Sequence, residues 1–424
     1  MRLHQLEHSA LLSHVGEGGR ALVVTEEPPR VGRFDVRARA QVLRWGSLRP
    51  NEPVLLKLAS GHAPRQGTRL SVIGFLRTPS AQEATWLRRQ GVHVVLRVKE
   101  SRRVGRRGGL AGVGDRLQQW LARDAAFAQH GERRELIDAI VLGQARGLDP
   151  TLLDRFRASG LYHCLAVDGL KVATVAGGAL VLLRRRRMAG EIAALAAVGG
   201  YTLAVGFHPS VVRAAIAAAL GSLAWLTARQ RDRWHALLVG AVVLLAWNPM
   251  FVLDAGFQLS FAAVAAIFVV TPRVARALPV GRGLAELIGV STACGLATAP
   301  VTWLQFHQVS IVTVPANVVA VPVVAEMLGV ALATAAIAPI APQVAAALAH
   351  VDGWGAWFVA GCARFFGGLP GAQVTSTAGA AGLAAGGLLA AAYAWPRGRD
   401  RAEARLSPLG KRPAEDRARI APPA

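Results

Sequence analysis

Cysteine is scarce: the 424 residues hold three, Cys164, Cys294 and Cys362, all in apolar stretches. The polar N-terminal part therefore has no disulfide framework. Cys-x-x-Cys pairs are absent, and none of the eleven histidines stands in a His-x-His or His-Glu-x-x-His spacing. That removes the common zinc motifs and the metallohydrolase signature. No glycine-rich phosphate loop ending in Lys-Ser or Lys-Thr occurs, so no ATP-driven motor is expected within the chain. No nucleophile–base pair is visible either, and no enzyme activity or cofactor is implied. Residues 1–8 carry no apolar run, so no signal peptide is expected there. Acidic residues are few: 26 stand against 48 basic ones, giving a net charge of +22.

What is abundant is apolar. Hydrophobic residues make up 53% of the chain, with a mean hydropathy of +0.35, and they are unevenly placed. Residues 1–158 are mixed and charged, whereas 160–395 are dominated by Ala, Val, Leu and Gly. Residues 396–424 are polar and proline-rich and are expected to be a disordered cytoplasmic tail. The pattern predicts a soluble domain followed by a polytopic α-helical membrane domain. Of the 48 basic residues only four are lysine. Arginine in cytoplasmic loops accounts for most of the excess charge. Guanidinium forks for phosphodiesters are the competing use, and the soluble region is basic too.

Residues 20–98 alternate as a small β domain, with strands expected at 20–25, 31–45, 53–58, 69–77 and 92–98 and a short helix at 80–90. Five short strands suit an OB-like barrel, and a small sandwich is the plainer alternative. This domain is placed at 15–100. A basic, glycine-rich linker and amphipathic helices at 115–129, 132–144 and 150–157 fill 101–158, with the helices expected at the membrane interface. Apolar length then predicts about nine spans: 160–183, 189–207, 209–228, 234–252, 256–271, 284–306, 310–338, 344–366 and 374–395. Pro315 and Pro322 interrupt the seventh, where a re-entrant segment is the alternative. Arg184–Arg187, Arg229–Arg233, Arg273/Arg276/Arg282 and Arg397/Arg399/Arg401 fall on alternate loops. This puts the C-terminus in the cytoplasm and the β domain on the outer face.

Polar residues inside apolar runs mark a path through a bundle. The first span carries His163, Asp168 and Lys171, and the last two, three apart, can pair on one face. Self-neutralisation inside the bundle is the plain reading of that pair. Arg213 follows Pro209-Ser210 and either snorkels to the interface or faces a lumen. Asp254, Gln258 and Ser260 open another span, and Gln305 and Asn317 stand in later ones. Contacts between helices are the plain reading of these four polar side chains and Asp254.

Several blocks, in order, resemble the ComEC/Rec2 competence proteins, DNA-uptake channels of the inner membrane. Gly160-Leu161-Tyr162-His163-Cys164-Leu165-Ala166-Val167 resembles the family block G-L-x-H-L-L-A-[IV]-S-G-L-H. Pro209-Ser210-Val211-Val212-Arg213-Ala214 resembles P-S-x-x-R-A. Asn248-Pro249, Asp254 and Gly256-Phe257-Gln258-Leu259-Ser260-Phe261 resemble N-P-x-x-x-x-D-x-G-F-Q-L-S-F, and Asn317 to Pro322 resembles N-x-x-x-[IV]-P. The resemblance implies uptake of single-stranded DNA through the bundle during transformation. It also implies strand binding by the OB-like domain, where Phe34, Trp45, Phe75 and Trp86 could stack. A cytoplasmic helicase-like translocase and an outer DNA receptor are the implied partners, beside the lipid bilayer. Asp168 and Lys171 stand where the family has Ser and His. The metallo-β-lactamase-like domain of larger members, with its H-x-H-x-D-H site, has no counterpart here, and the membrane helices that usually precede the β domain are missing too. A degenerate, non-conducting relative and a small-solute or proton-coupled transporter are the alternative readings.

Overall fold

The structure is a computed structural model that describes residues 9–382, except 33–34, 60, 62, 82, 85–86, 88–90, 146, 227–231 and 380. The chain divides into two units, Met1–Gln373 and Val374–Ala424. Most of the second, including the expected tail and most of the expected span at 374–395, lies outside the described residues.

The N-terminal strands are β1 (Gly18–Thr25), β2 (Arg30–Val31), β3 (Asp35–Trp45), β4 (Glu52–Ala59), β5 (Thr68–Arg77) and β6 (Val95–Arg106). Their alternation sets which face is buried: Val36, Ala38, Ala40 and Val42 of β3 point inward, as do Leu70, Val72 and Leu76 of β5. The order β1-β5-β6-β4-β3 closes through a β3–β1 pairing into a five-stranded barrel. All pairs are antiparallel except β4–β6. Beyond the three-residue β4–β6 pairing, β6 runs on with β5 alone, so its second half keeps one open edge. Residues 101–106, expected in the linker, instead form the second half of β6. The expected helix at 80–90 falls largely on residues outside the described set.

Helices α1 (Gly109–Asp124), α2 (Gly131–Leu142) and α3 (Pro150–Ser159) follow. The expectation that they lie flat at an interface is not met by α1 and α2. Leu121, Leu136, Ile137 and Ile140 belong to one buried cluster with Ala320, Met327, Ala331, Ala356 and Val359 from helices near the C-terminus. Their sequence looks amphipathic because the apolar side meets other helices and not lipid.

The remaining helices are α4 (Gly169–Leu182), α5 (Arg187–Val205), α6 (Pro209–Leu226), α7 (Arg233–Trp247), α8 (Ala255–Val269), α9 (Thr271–Ala277), α10 (Arg282–Phe306), α11 (Thr313–Ile337) and α12 (Pro342–Gly368). Among the described residues only α5, α10 and α11 are individually long and apolar enough to cross a bilayer. A fourth span results if α8 and α9, bent by 45°, count as one. Of the nine expected crossings, three or four are confirmed among the described residues on length and composition. The reason is local: α4 begins at Gly169 and not at 160, and α4, α6 and α7 are short apolar helices. α12 is long but carries Asp352 and Arg364. α11 runs unbroken through Pro322, with Pro315 in its first turn, so the expected break is absent. The break comes instead between α8 and α9.

The barrel is fastened to the bundle through α1. Arg107 donates two hydrogen bonds to Asp115, at 2.9 and 2.8 Å, and Gln119 donates to the Gln66 carbonyl at 2.9 Å. Gly67, at φ +74, packs directly on the Asp115 carboxylate. One residue earlier, Gly114 lies against the Leu203 carbonyl, and Leu117 contacts Gly200. So α1 runs antiparallel to α5, starting from the C-terminal end of that span. α2 returns to the same end, where the Tyr201 hydroxyl donates to the Val141 carbonyl at 2.7 Å. Together they form a hairpin that enters the bundle from the barrel side. Its turn is held by Gln129, which donates to the Ala349 carbonyl of α12 at 2.9 Å.

Asp138 on α2 gives a pH test of this packing. Burial pushes its carboxyl up from 3.8 to about 6, opposed by Arg134 at 3.7 Å and assisted by Glu135. One of its oxygens has no hydrogen-bond partner among the described residues. A raised folded pKa means that ionisation costs stability; the cost sets in above the unfolded value and is complete above about 6. Asp138→Asn is expected to stabilise the purified protein by on the order of 2 kcal/mol near neutrality, with no gain below about pH 4. Thermal unfolding at both pH values checks it.

Candidate functional site

The opening motif folds as a sequence of sharp changes. α3 ends at Gly160, whose φ of +77 suits glycine, and a side chain there would overlap Thr313 at the start of α11. Leu161–Leu165 form a 3-10 turn, 166–167 are extended, and α4 starts after Asp168. His163 sits on the turn, exposed, with Nδ1 3.0 Å from the Gly160 carbonyl. Asp168 is the N-cap of α4, and its carboxylate accepts from the Lys171 backbone N–H at 3.1 Å. The expected ion pair between Asp168 and Lys171 is therefore not made. The cap satisfies an orphan helix donor locally and leaves the lysine side chain to the interior. Lys171 is 2% exposed, and its ammonium has no hydrogen-bond partner among the described residues.

Arg213, on α6, is also buried and does not snorkel. Its Nε donates to the Ser260 hydroxyl of α8 at 2.8 Å, and its guanidinium lies 5.9 Å from the Phe261 ring. The guanidinium also rests against Gly169, so α4, α6 and α8 meet around this one side chain. Asp168 stands within electrostatic reach of both Lys171 and Arg213. One turn before Arg213, the Ser210 hydroxyl donates to the Val167 carbonyl at 2.7 Å.

A second set ties α8 to α10. The Gln258 amide donates to the Val252 carbonyl at 2.8 Å and accepts from Gln305 at 3.2 Å. Asp254 is exposed and caps α8 through the Phe257 N–H at 3.0 Å. Asn317, on α11, is buried with its carbonyl oxygen unpartnered among the described residues. The structure thus joins Arg213 with Ser260 and Gln258 with Gln305. It assigns Asp168 and Asp254 to caps, and leaves Lys171 and Asn317 as buried polar heads without partners. The helix N-termini of α4, α6 and α8 converge here, and α11 begins against Gly160. The positive ends of their peptide dipoles therefore collect at this end of the bundle, beside buried Lys171 and Arg213. Electrostatically the place suits anions.

Sequence reasoning missed Ser210 and Tyr201 as ties. Tyr201 offered a signal, being one of only three tyrosines and lying in an apolar run, where a phenol needs a partner. Of the aromatic residues considered for stacking, Trp45 is core, Phe75 is exposed, and Phe34 and Trp86 lie outside the described residues.

The chain is similar to known proteins. The model of the family described as "Competence protein" matches residues 140–399, more than half of the chain. The chain belongs to the Competence protein family. Over 193 residues, 44% of this chain, it is 31% identical to ComE operon protein 3 of Bacillus subtilis (strain 168), covering 24% of that protein. Over 205 residues, also 44% of this chain, it is 27% identical to the uncharacterized protein YcaI of Escherichia coli (strain K12), covering 27% of it. The aligned part thus spans about a quarter of the length of these two relatives. No solved structure matches. Family and apolar helices together make this a membrane protein of the competence family.

Proposed function

We propose that this competence protein conducts a single strand of DNA across the membrane during natural transformation. The observation that carries the reading is the convergence of buried Arg213, buried Lys171 and several helix N-termini around the Arg213–Ser260 link. Such groups compensate phosphate charge inside a low-dielectric bundle. Gln258, Gln305 and Asn317 supply neutral hydrogen-bonding groups beyond it, and His163 stands at the rim. The pair that would have motivated a proton-coupled transporter is not formed, because Asp168 caps α4.

The barrel has the strand order of an OB fold, with its parallel β4–β6 pair. We assign it to strand binding on the outer face, with the C-terminus cytoplasmic, as the arginine-rich loops indicate. Phe75, 38% exposed with the Lys99 ammonium 5.0 Å from its ring, is its one described stacking surface of the four aromatics considered. The chain does no bond chemistry in this reading. A cytoplasmic helicase-like translocase drives the strand, and an outer receptor delivers it.

Deleting the gene in a competent host and following labelled DNA tests the proposal. Label retained outside and lost from the cytoplasm is the expected result; unchanged cytoplasmic label would overturn it. Lys171→Met separates stability from function. An unpaired buried charge is costly, so the variant is expected to gain on the order of 1 kcal/mol in thermal stability. It should nevertheless lose most uptake. Equal uptake with higher stability would remove Lys171 from the path.

A further inference from the structure

The barrel carries a cleft separate from the Phe75 surface and from the bundle. It opens where β4 stops pairing with β6 while the β5–β6 hairpin continues, and its volume is about 570 Å³. Leu58 and Leu70 form an apolar floor, and Arg65, Arg103 and Arg106 line the sides. None of these three guanidinium groups makes a hydrogen bond or ion pair among the described residues, although the barrel's other charged residues form several. Three exposed guanidinium groups around one concavity create a positive potential that attracts an anion. Their planar forks match the two free oxygens of a phosphodiester.

The cleft's position says which phosphodiester. Thr68 and Arg106, which also line it, are neighbours in sequence of Gly67 and Arg107, the residues clamped on Asp115 of α1. Asp115 follows Gly114, which lies on the last turn of the α5 span. The cleft therefore stands at the level where that span leaves the bilayer. Around the same junction Val104, Leu110 and Val113 are 60%, 77% and 36% exposed, interleaved with exposed Arg102, Arg103, Arg106 and Arg116. Exposed apolar side chains between arginines, at the end of a span, are the composition of an interfacial surface: the apolar groups enter the acyl boundary and the guanidinium groups reach the headgroups.

We propose that this cleft binds the headgroup phosphodiester of an anionic phospholipid and seats the barrel on the bilayer. The site is independent of the DNA-conducting reading. It would fix the height and tilt of the barrel over the bundle entrance, with the Arg107–Asp115 clamp as the second anchor.

The test uses the full chain in detergent, titrated with short-chain phosphatidylglycerol or phosphatidylcholine, with bound lipids counted by native mass spectrometry. A preference for phosphatidylglycerol is expected. In the Arg65→Gln/Arg103→Gln/Arg106→Gln variant its affinity should fall on the order of 100-fold, from about tenfold or less per arginine near a charged surface. Arg44→Gln, an exposed change elsewhere on the barrel, should leave it unchanged. If the triple variant does not fold, Arg103→Gln alone and Leu110→Asp give the same reading with a smaller loss. Equal binding of phosphatidylglycerol by all variants overturns the proposal. So does a single-stranded oligonucleotide that displaces phosphatidylglycerol from the wild type and loses more affinity than the lipid in the arginine variants; the cleft would then belong to the DNA strand.

Discussion

Arg213→Ala is expected to lower entry of labelled DNA about 100-fold while the protein remains in the membrane at its normal level. The magnitude follows from the bond it removes: a charge-assisted hydrogen bond in a buried site is worth roughly 1.5–3 kcal/mol. Arg213 holds α6 to α8 through Ser260 and rests on Gly169, so alanine leaves the serine unpaired and the three helices unregistered. Arg213→Lys keeps the charge but not the fork, and should fall between the two. Asn317→Ala should also impair entry, more mildly, because no hydrogen bond is lost. Cytoplasmic label and membrane abundance, measured on the same cells, decide the matter. Normal entry in Arg213→Ala would remove this side chain from the path and leave it a structural tie.

Gly67→Val should be the most damaging single change in the barrel. Its backbone lies in the left-handed region, which disfavours a β-branched residue, and the new Cβ would overlap the Asp115 carboxylate. The Arg107–Asp115 pair must then open, and breaking a largely buried pair costs about 3 kcal/mol. A lower unfolding midpoint and faster proteolysis between barrel and α1 are expected. Gly105→Ala is the control, since a Cβ there meets nothing within 4 Å. Identical midpoints for Gly67→Val and the wild type would mean that the clamp does not hold the barrel.

The strands were legible because a half-buried strand writes its inward face into every second residue. β3 and β5 do so along most of their length, and even their ends were placed closely. A barrel was expected from the number of strands, with a sandwich left open; the pairings that close it were not legible, since β1 pairs with β3 and β5 by contacts that no local pattern records. Arg213, Ser260, Gln258 and Gln305 were recognisable as polar groups in apolar runs, but their pairing required helices far apart in sequence. The Asp168 error was avoidable. An aspartate just ahead of a continuous apolar run is a helix-start signal, and it ranks above a salt bridge three residues on. Counting apolar length from 160 hid that start. The same counting lengthened two of the expected spans, because the 3-10 turns at Leu161–Leu165 and Pro249–Leu253 are apolar without belonging to a long helix.

The α1–α2 hairpin also has a consequence for how the protein is made. Two of its anchors lie far downstream, Gln129 on Ala349 and Glu132 on Arg364, at separations of 220 and 232 residues, and on α3 Arg155 bonds the Gly367 carbonyl, 212 residues on. At ribosomal speeds of about 5–20 residues per second, the hairpin exists for roughly 10–40 s before those partners are synthesised. During that time the sides of Leu136, Ile137 and Ile140 that meet α11 and α12 are uncovered, so the nascent chain needs shelter from an insertase or chaperone. The slow step of its biogenesis is then the arrival of α12, and truncations that remove this helix should be cleared as misfolded chains even though the helices before it are intact.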